Sequence, residues 1–221
     1  MNIKMLSVIA LCVVTFAPQL SFSGTSLKIG TQGKKNITLT NKVGENLVKF
    51  LSAAPLEEIK GTSDGISGTF TLDLDNLEAT TGQITIAVKT MTTGLERRDS
   101  HLWGKEWLNA EKYPSIVFNI KGLSEIQIIK QDNGMGEIKA IAVGEFTMHG
   151  ETQQIKSPIT LKFVRESEAT KKRAAGDFAL VQAAFKIALK DFNVTGTRGI
   201  VGSKVGETID IDANLYGSTV Q

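Results

Sequence analysis

The chain has 221 residues, 25 basic against 23 acidic, a formal net charge of +2, 41% hydrophobic residues and a single cysteine. So even a balance gives no electrostatic ground for a nucleic-acid partner, and the short charge runs of mixed sign read as solvated faces. One cysteine excludes an intrachain disulfide framework, while the length suits one domain with a substantial core.

Residues 1–23 read as a secretory signal. Lys4 supplies the positive start, Met5 to Ala17 is an uncharged apolar run, and Ser21-Phe22-Ser23 places small residues at both specificity positions before Gly24. The apolar run is shorter than the roughly 20 residues needed to span a bilayer. Pro18 disfavours a cut after Ala17, so cleavage is expected after Ser23; removing 23 residues from 221 leaves 198, with 24 basic against 23 acidic once Lys4 is gone. Cys12 lies inside the apolar run, and the bulky Leu11 stands where a lipoprotein signal has a small residue, so the mature chain is expected to carry neither a thiol nor a lipid anchor. Export without disulfides points to a bacterial periplasm or to secretion.

Residues 24–46 are polar with scattered apolar positions and read as an N-terminal strand or extension. From Leu47 onward the pattern is that of strands. In Thr69 to Asp75, Phe70, Leu72 and Leu74 face one way and polar residues the other, the mark of a half-buried antiparallel strand. The same alternation runs through Gln83 to Thr90 (Ile84, Ile86, Val88), Ser115 to Lys121 (Ile116, Phe118, Ile120), Ile159 to Phe163 and Thr208 to Leu215 (Ile209, Ile211). Less regular runs at Leu47 to Ala53, Glu125 to Lys130, Glu137 to Met148 and Phe178 to Lys190 supply further candidates. Asp132-Asn133-Gly134 is expected to be a hairpin turn, and residues 166–176 a polar connection. Such a count of strands suits a barrel or a sandwich.

The stretch from Thr93 to Leu123 differs from the rest. A charged turn (Glu96, Arg97, Arg98, Asp99) opens it, an aromatic-rich segment with Trp103, Trp107 and Leu108 follows, and Tyr113-Pro114 ends that segment before the next strand. Four-residue spacing predicts a short helix near residues 100–112 that gathers both tryptophans on adjoining faces, as a plug or lid. Its charges do not complement the helix dipole, so it must depend on packing. Two readings of the polar cluster stand side by side: Asp99 as a turn cap with an Arg–carboxylate pair, or Arg97, Arg98, Asp99 and His101 meeting the polar head of an amphiphile. Of these, the first is favoured, with His101 packed rather than catalytic and Tyr113 anchoring the plug.

Arg98-Asp99, His101-Leu102, Trp107-Leu108, Tyr113-Pro114 and Phe118 resemble, in order and spacing, the signature of the YceI-like family. Gly144 to Thr152, Phe185 to Asn193 and Val205-Gly206-Glu207 resemble its later landmarks, so the likeness covers about residue 47 to the C-terminus. Leu189-Lys190 stand where many members have an Arg, and residues 52–56 replace a first-strand segment that commonly carries His. The resemblance implies an all-β, lipocalin-like antiparallel barrel of about eight strands over residues 47–221, binding a polyisoprenoid, and it allows a homodimer and transient membrane contact.

A barrel of this size either fills its own interior or leaves room for one ligand. Ala140, Ala142 and Gly144 on one strand face argue for room. The expected wall comprises Phe70, Leu72, Ile84, Ile86, Val88, Phe118, Ile120, Phe146, Leu161, Phe163, Ile209 and Ile211, with Trp103 and Trp107 at one end. No catalytic residue, metal site or cofactor is expected beyond a bound isoprenoid-like lipid. The mature chain has two well-separated histidines, no Cys and no Gly-x-Ser-x-Gly elbow. The competing expectation is a self-filled barrel with a structural or interaction role.

Overall fold

The computed structural model describes residues 24–220; the expected signal segment, with Cys12, lies outside them. Ten strands make up one antiparallel sheet: β1 (Lys34–Leu39), β2 (Leu47–Ala53), β3 (Glu58–Ser63), β4 (Ile66–Asp73), β5 (Thr81–Ala87), β6 (Ser115–Asp132), β7 (Met135–Met148), β8 (Glu151–Val164), β9 (Phe178–Ala188) and β10 (Thr208–Ser218). Their order is β1-β4-β5-β6-β7-β8-β9-β10-β2-β3, and β1 also pairs with β10. That extra pairing turns eight of the strands into a closed barrel. Within residues 24–46, expected to be an N-terminal strand or extension, β1 is therefore a stave of the barrel.

The edge of β10 is shared. Its last residues pair with β1 (Thr38 with Ser218, Leu39 with Gly217), and Ile209 to Asn214 pair with β2. Where the chain steps from β1 to β2, the buried Asn46 side chain fixes the corner: its Oδ1 accepts from Tyr216 N at 2.8 Å and its Nδ2 donates to Asn41 Oδ1 at 2.8 Å. The β2–β3 hairpin so completes the wall at one end, where β3 is held to the following segment by the Thr62–Thr92 backbone pair.

Side-chain parity follows the period of two on most strands. On β6 it changes. Ile116, Phe118 and Ile120 face inward, a register shift intervenes between Ile120 and Gly122, and Leu123 is the next inward side chain. One extra residue in a bulge flips the faces in this way. The β7–β8 hairpin turns on His149 and Gly150, both at positive φ (53° and 84°), as a two-residue turn of this hand requires.

The two ends of the barrel are closed differently. At the deep end the segment before β1 crosses the opening: Leu27 N donates to Leu74 O, Leu77 N to Thr25 O, and Gly134 N to Ile29 O. Leu27 and Ile29 thereby join Leu72, Leu74, Leu77, Ile138 and Phe163 in a solid core, so this N-terminal segment is the plug of the barrel and the tryptophan-bearing helix end is its lid. The Glu78 carboxylate accepts from Thr25 N at 2.8 Å and Thr25 Oγ1 at 2.7 Å. Burial opposes ionisation of Glu78, but these hydrogen bonds outweigh it and hold the carboxyl below its ordinary range.

At the opposite end the helix α1 (Glu96–Trp103), the turns that follow it and residues 189–206 pack over the barrel. The helix lies earlier than expected. It stops at Trp103 because Gly104 leaves the helical region, and Leu108 N and Ala110 N return to Leu102 O and Trp103 O. Trp107 and Leu108 consequently sit on turns, not on a second helical turn. The structure also adds β3, which has no counterpart among the expected strands.

Candidate functional site: a cavity between plug and lid

Between the two closures lies a cavity of about 450 Å³, within the range of small-molecule sites. Its wall takes inward residues from β2 to β10. On β10 these are Ile209, Ile211, Ala213 and Leu215, and on β9 Val181, Ala183, Phe185 and Ile187. Six residue steps along a strand make the lined length about 20 Å. Several inward side chains, including Phe118, Ile120, Val181 and Ile211, are only half-buried, because they face open space.

Of the fourteen residues expected at the wall, ten line this cavity: Phe70, Ile84, Ile86, Trp107, Phe118, Ile120, Phe146, Leu161, Ile209 and Ile211. The other four sit elsewhere. Leu72 and Phe163 are inward-facing but lie at the height of the plug, where Leu27 and Ile29 bury them completely. Val88 falls in the 3-10 turn Val88–Thr90 that follows β5 and packs beneath the lid. Trp103 packs with the lid, its Nε1 donating to Met91 O at 2.9 Å. Strand alternation also carried Ile116, which lines the cavity; Phe50, Phe185 and Leu102 line it from less regular segments, and Thr80 from a turn.

Phe146 is the hub of the upper wall, with ring centroids 6.4, 5.8 and 5.6 Å from Phe118, Phe185 and Phe192. Two of these contacts are edge-to-face, the geometry aromatic quadrupoles favour. Trp107 lies against Gly196, where a Cβ would come within 2.5 Å of the indole. Gly196, at φ 60°, thus lets the 195–205 loop close over the ring.

Charge is confined to the rim, where Glu57, Arg98 and Lys204 stand among the lining residues beside His101. Arg98 Nη2 meets Glu57 Oε1 at 2.6 Å and ties α1 to the β2–β3 turn. The buried Asp99 points back, not forward. Its carboxylate accepts from Thr92 Oγ1 at 2.5 Å and from Thr93 N and Oγ1 at 2.6 Å each, so it secures the turn before α1. Burial works against its charge, yet these hydrogen bonds and the nearby Arg98 together keep the carboxyl below its ordinary range. The favoured structural reading of Asp99 and Arg98 thus corresponds to contacts in the structure, with the cap reversed in direction. His101 is exposed at the rim rather than packed. Tyr113 anchors the lid's end as expected, edge-on to His149 at 5.0 Å. Among the described residues no group of three His, Cys, Asp or Glu side chains is placed to hold a metal ion.

The fold and site define a class: a closed antiparallel barrel with an apolar chamber and a polar rim. The YceI-like domain family matches residues 18–216, and the chain belongs to that family. Among its relatives is protein YceI of Escherichia coli O157:H7, 30% identical over 154 residues that cover 69% of this chain and 72% of that protein. Burkholderia cenocepacia BcnA superimposes with a TM-score of 0.61 at 18% identity, over 77% of this chain and 95% of that one. A polyisoprenoid binding domain from Saccharophagus degradans, implicated in plant cell wall breakdown, gives 0.59 at 14% identity, over 85% and 99%. At these identities the two structures attest the shared fold.

Proposed function

We propose that this protein is an exported, non-enzymatic carrier that sequesters a long, mostly apolar amphiphile of the polyprenyl or isoprenoid-quinone type inside its barrel. The observation that carries this reading is the chamber itself: about 450 Å³ of space, walled by aliphatic and aromatic side chains, with charge only at one rim. Each methylene removed from water contributes about 0.8 kcal/mol. A dozen therefore give roughly 10 kcal/mol, comparable with an association cost of about 4–15 kcal/mol. The description of the Saccharophagus relative as polyisoprenoid binding agrees with this class of cargo. Export to the periplasm or beyond rests on the signal-like residues 1–23. The exposed Leu56 and Leu95 on the lid side suit transient contact with a membrane, and a homodimer is compatible with the family.

Organic extraction of the purified protein followed by mass spectrometry tests the proposal. The expected result is a stoichiometric lipid with an unsaturated C5 repeat. Lipid-free preparations that also refuse added prenyl compounds would overturn it and favour a structural or interaction role.

A further inference from the structure

The chamber wall contains hydroxyls as well as hydrocarbon, and they are unequally provided for. On the β2–β3 side, Ser52 Oγ accepts from Gly206 N at 2.8 Å, and Ser63 Oγ shares a 2.7 Å hydrogen bond with Thr90 Oγ1. Thr80, 2% exposed, lines the deep end of the chamber, and its buried Oγ1 has no hydrogen-bond partner among the described residues. A buried hydroxyl left unpaired is costly, and valine would fill the same volume without that penalty. Rotation about χ1 carries the threonine hydroxyl into another staggered position, the freedom that an incoming polar group needs to engage it. Ser157, 1% exposed and also on the wall, has only a 3.4 Å contact with Pro158 O.

The register places Thr80 at the far end from the rim. Gly82 pairs with Ile120, and the Glu78 carbonyl closes on Gly122, so Thr80 lies beside the β6 bulge just above the plug. The charged lining residues all lie at the opposite, lid end. An ionic group beside Thr80 would find no counter-charge and would bear its full desolvation cost. At the lid end the lining also includes Leu102, Trp107, Leu108 and Val205, which suit hydrocarbon.

We infer that Thr80 anchors an uncharged hydrogen-bonding group, a carbonyl or hydroxyl, that the ligand carries in ahead of its chain, leaving the hydrocarbon tail to lie along the chamber toward the lid. This rests on the reading of the chamber as a lipid site. The test is competitive displacement of a fluorescent apolar probe by two ligands of equal length, a decyl-substituted benzoquinone and decylbenzene, on the wild type, Thr80→Val and Thr80→Ser. The expected result is that the wild type prefers the quinone by up to about tenfold, the scale of one hydrogen bond. Thr80→Val loses the preference while still binding decylbenzene, and Thr80→Ser keeps it. Infrared spectra should place the bound quinone's carbonyl stretch lower in the wild type than in Thr80→Val. Equal binding of both ligands by the wild type, or an unchanged preference in Thr80→Val, overturns the inference and leaves the chamber reading intact. Failure of the wild type to bind either ligand removes the chamber reading itself.

Discussion

Asp99 is a single carboxylate on which the position of the lid depends. It gathers both threonine hydroxyls and a backbone N–H of the preceding turn, and its neighbour Arg98 reaches across to Glu57. Asp99→Asn keeps the shape but replaces an acceptor oxygen with a donor facing donors. It is expected to cost about 2–3 kcal/mol, read as a lower midpoint in chemical denaturation. The pH dependence has a definite sign. Because the folded-state pKa is depressed, the stability Asp99 lends is fully present above its unfolded pKa near 3.8 and drains away as pH falls through the lower folded value. Thermal melts at descending pH should show this acid-side loss in the wild type and a smaller one in Asp99→Asn. The sequence favours a structural role for Asp99 and Arg98, but the backward direction of the cap is not legible in it, since the helix begins before the aromatic residues expected to define it.

Among the elements, the corner between β1 and β2 has the plainest weak point. Asn46 supplies the acceptor for Tyr216 N where the shared edge of β10 changes partner. Asn46→Ala would leave that N–H buried and unpaired, and a loss of about 1–3 kcal/mol is expected in urea unfolding. Hydrogen exchange at Tyr216 should accelerate in the same variant. Periodicity reported most strands well: the alternation of Phe70 and Leu72 falls on β4, the less regular run Leu47–Ala53 coincides with β2, and the expected Asp132-Asn133-Gly134 turn joins β6 to β7. It failed where a strand's identity depends on partners. β3 (EIKGTS) has too little alternation to stand out, and it exists because β2 offers it an edge. β8 begins at Glu151, well before its apolar run, because β7 continues opposite it.

For the molecule as a whole, the apolar lining of the chamber is separable from the contacts that hold the fold. Ala183 lines the chamber and is only half-buried, so Ala183→Phe would put a ring into open space. The variant is expected to fold, with circular dichroism and melting close to wild type, and to lose at least tenfold in affinity for prenyl probes. Alternation identified which side chains face inward, but not their height along the axis. Phe70 and Leu72 are two residues apart on one face of β4, yet one borders the chamber and the other is sealed by Leu27 and Ile29. That difference comes from a segment far from the family signature and from the tilt of the staves, neither of which a single strand's pattern contains.

Ring closure rests on two residue pairs, Thr38 with Ser218 and Leu39 with Gly217. These partners stand about 180 positions apart, so the entropy of joining them is among the largest in the chain. The seam should consequently zip last, after an open curled sheet has formed, and refolding should be slow. Pulse-labelled exchange is expected to show amide protection on β7 and β8 before Leu39. A chain truncated after Leu215 would then stall as that unzipped sheet, with its greasy lining offered to solvent and to other copies of itself.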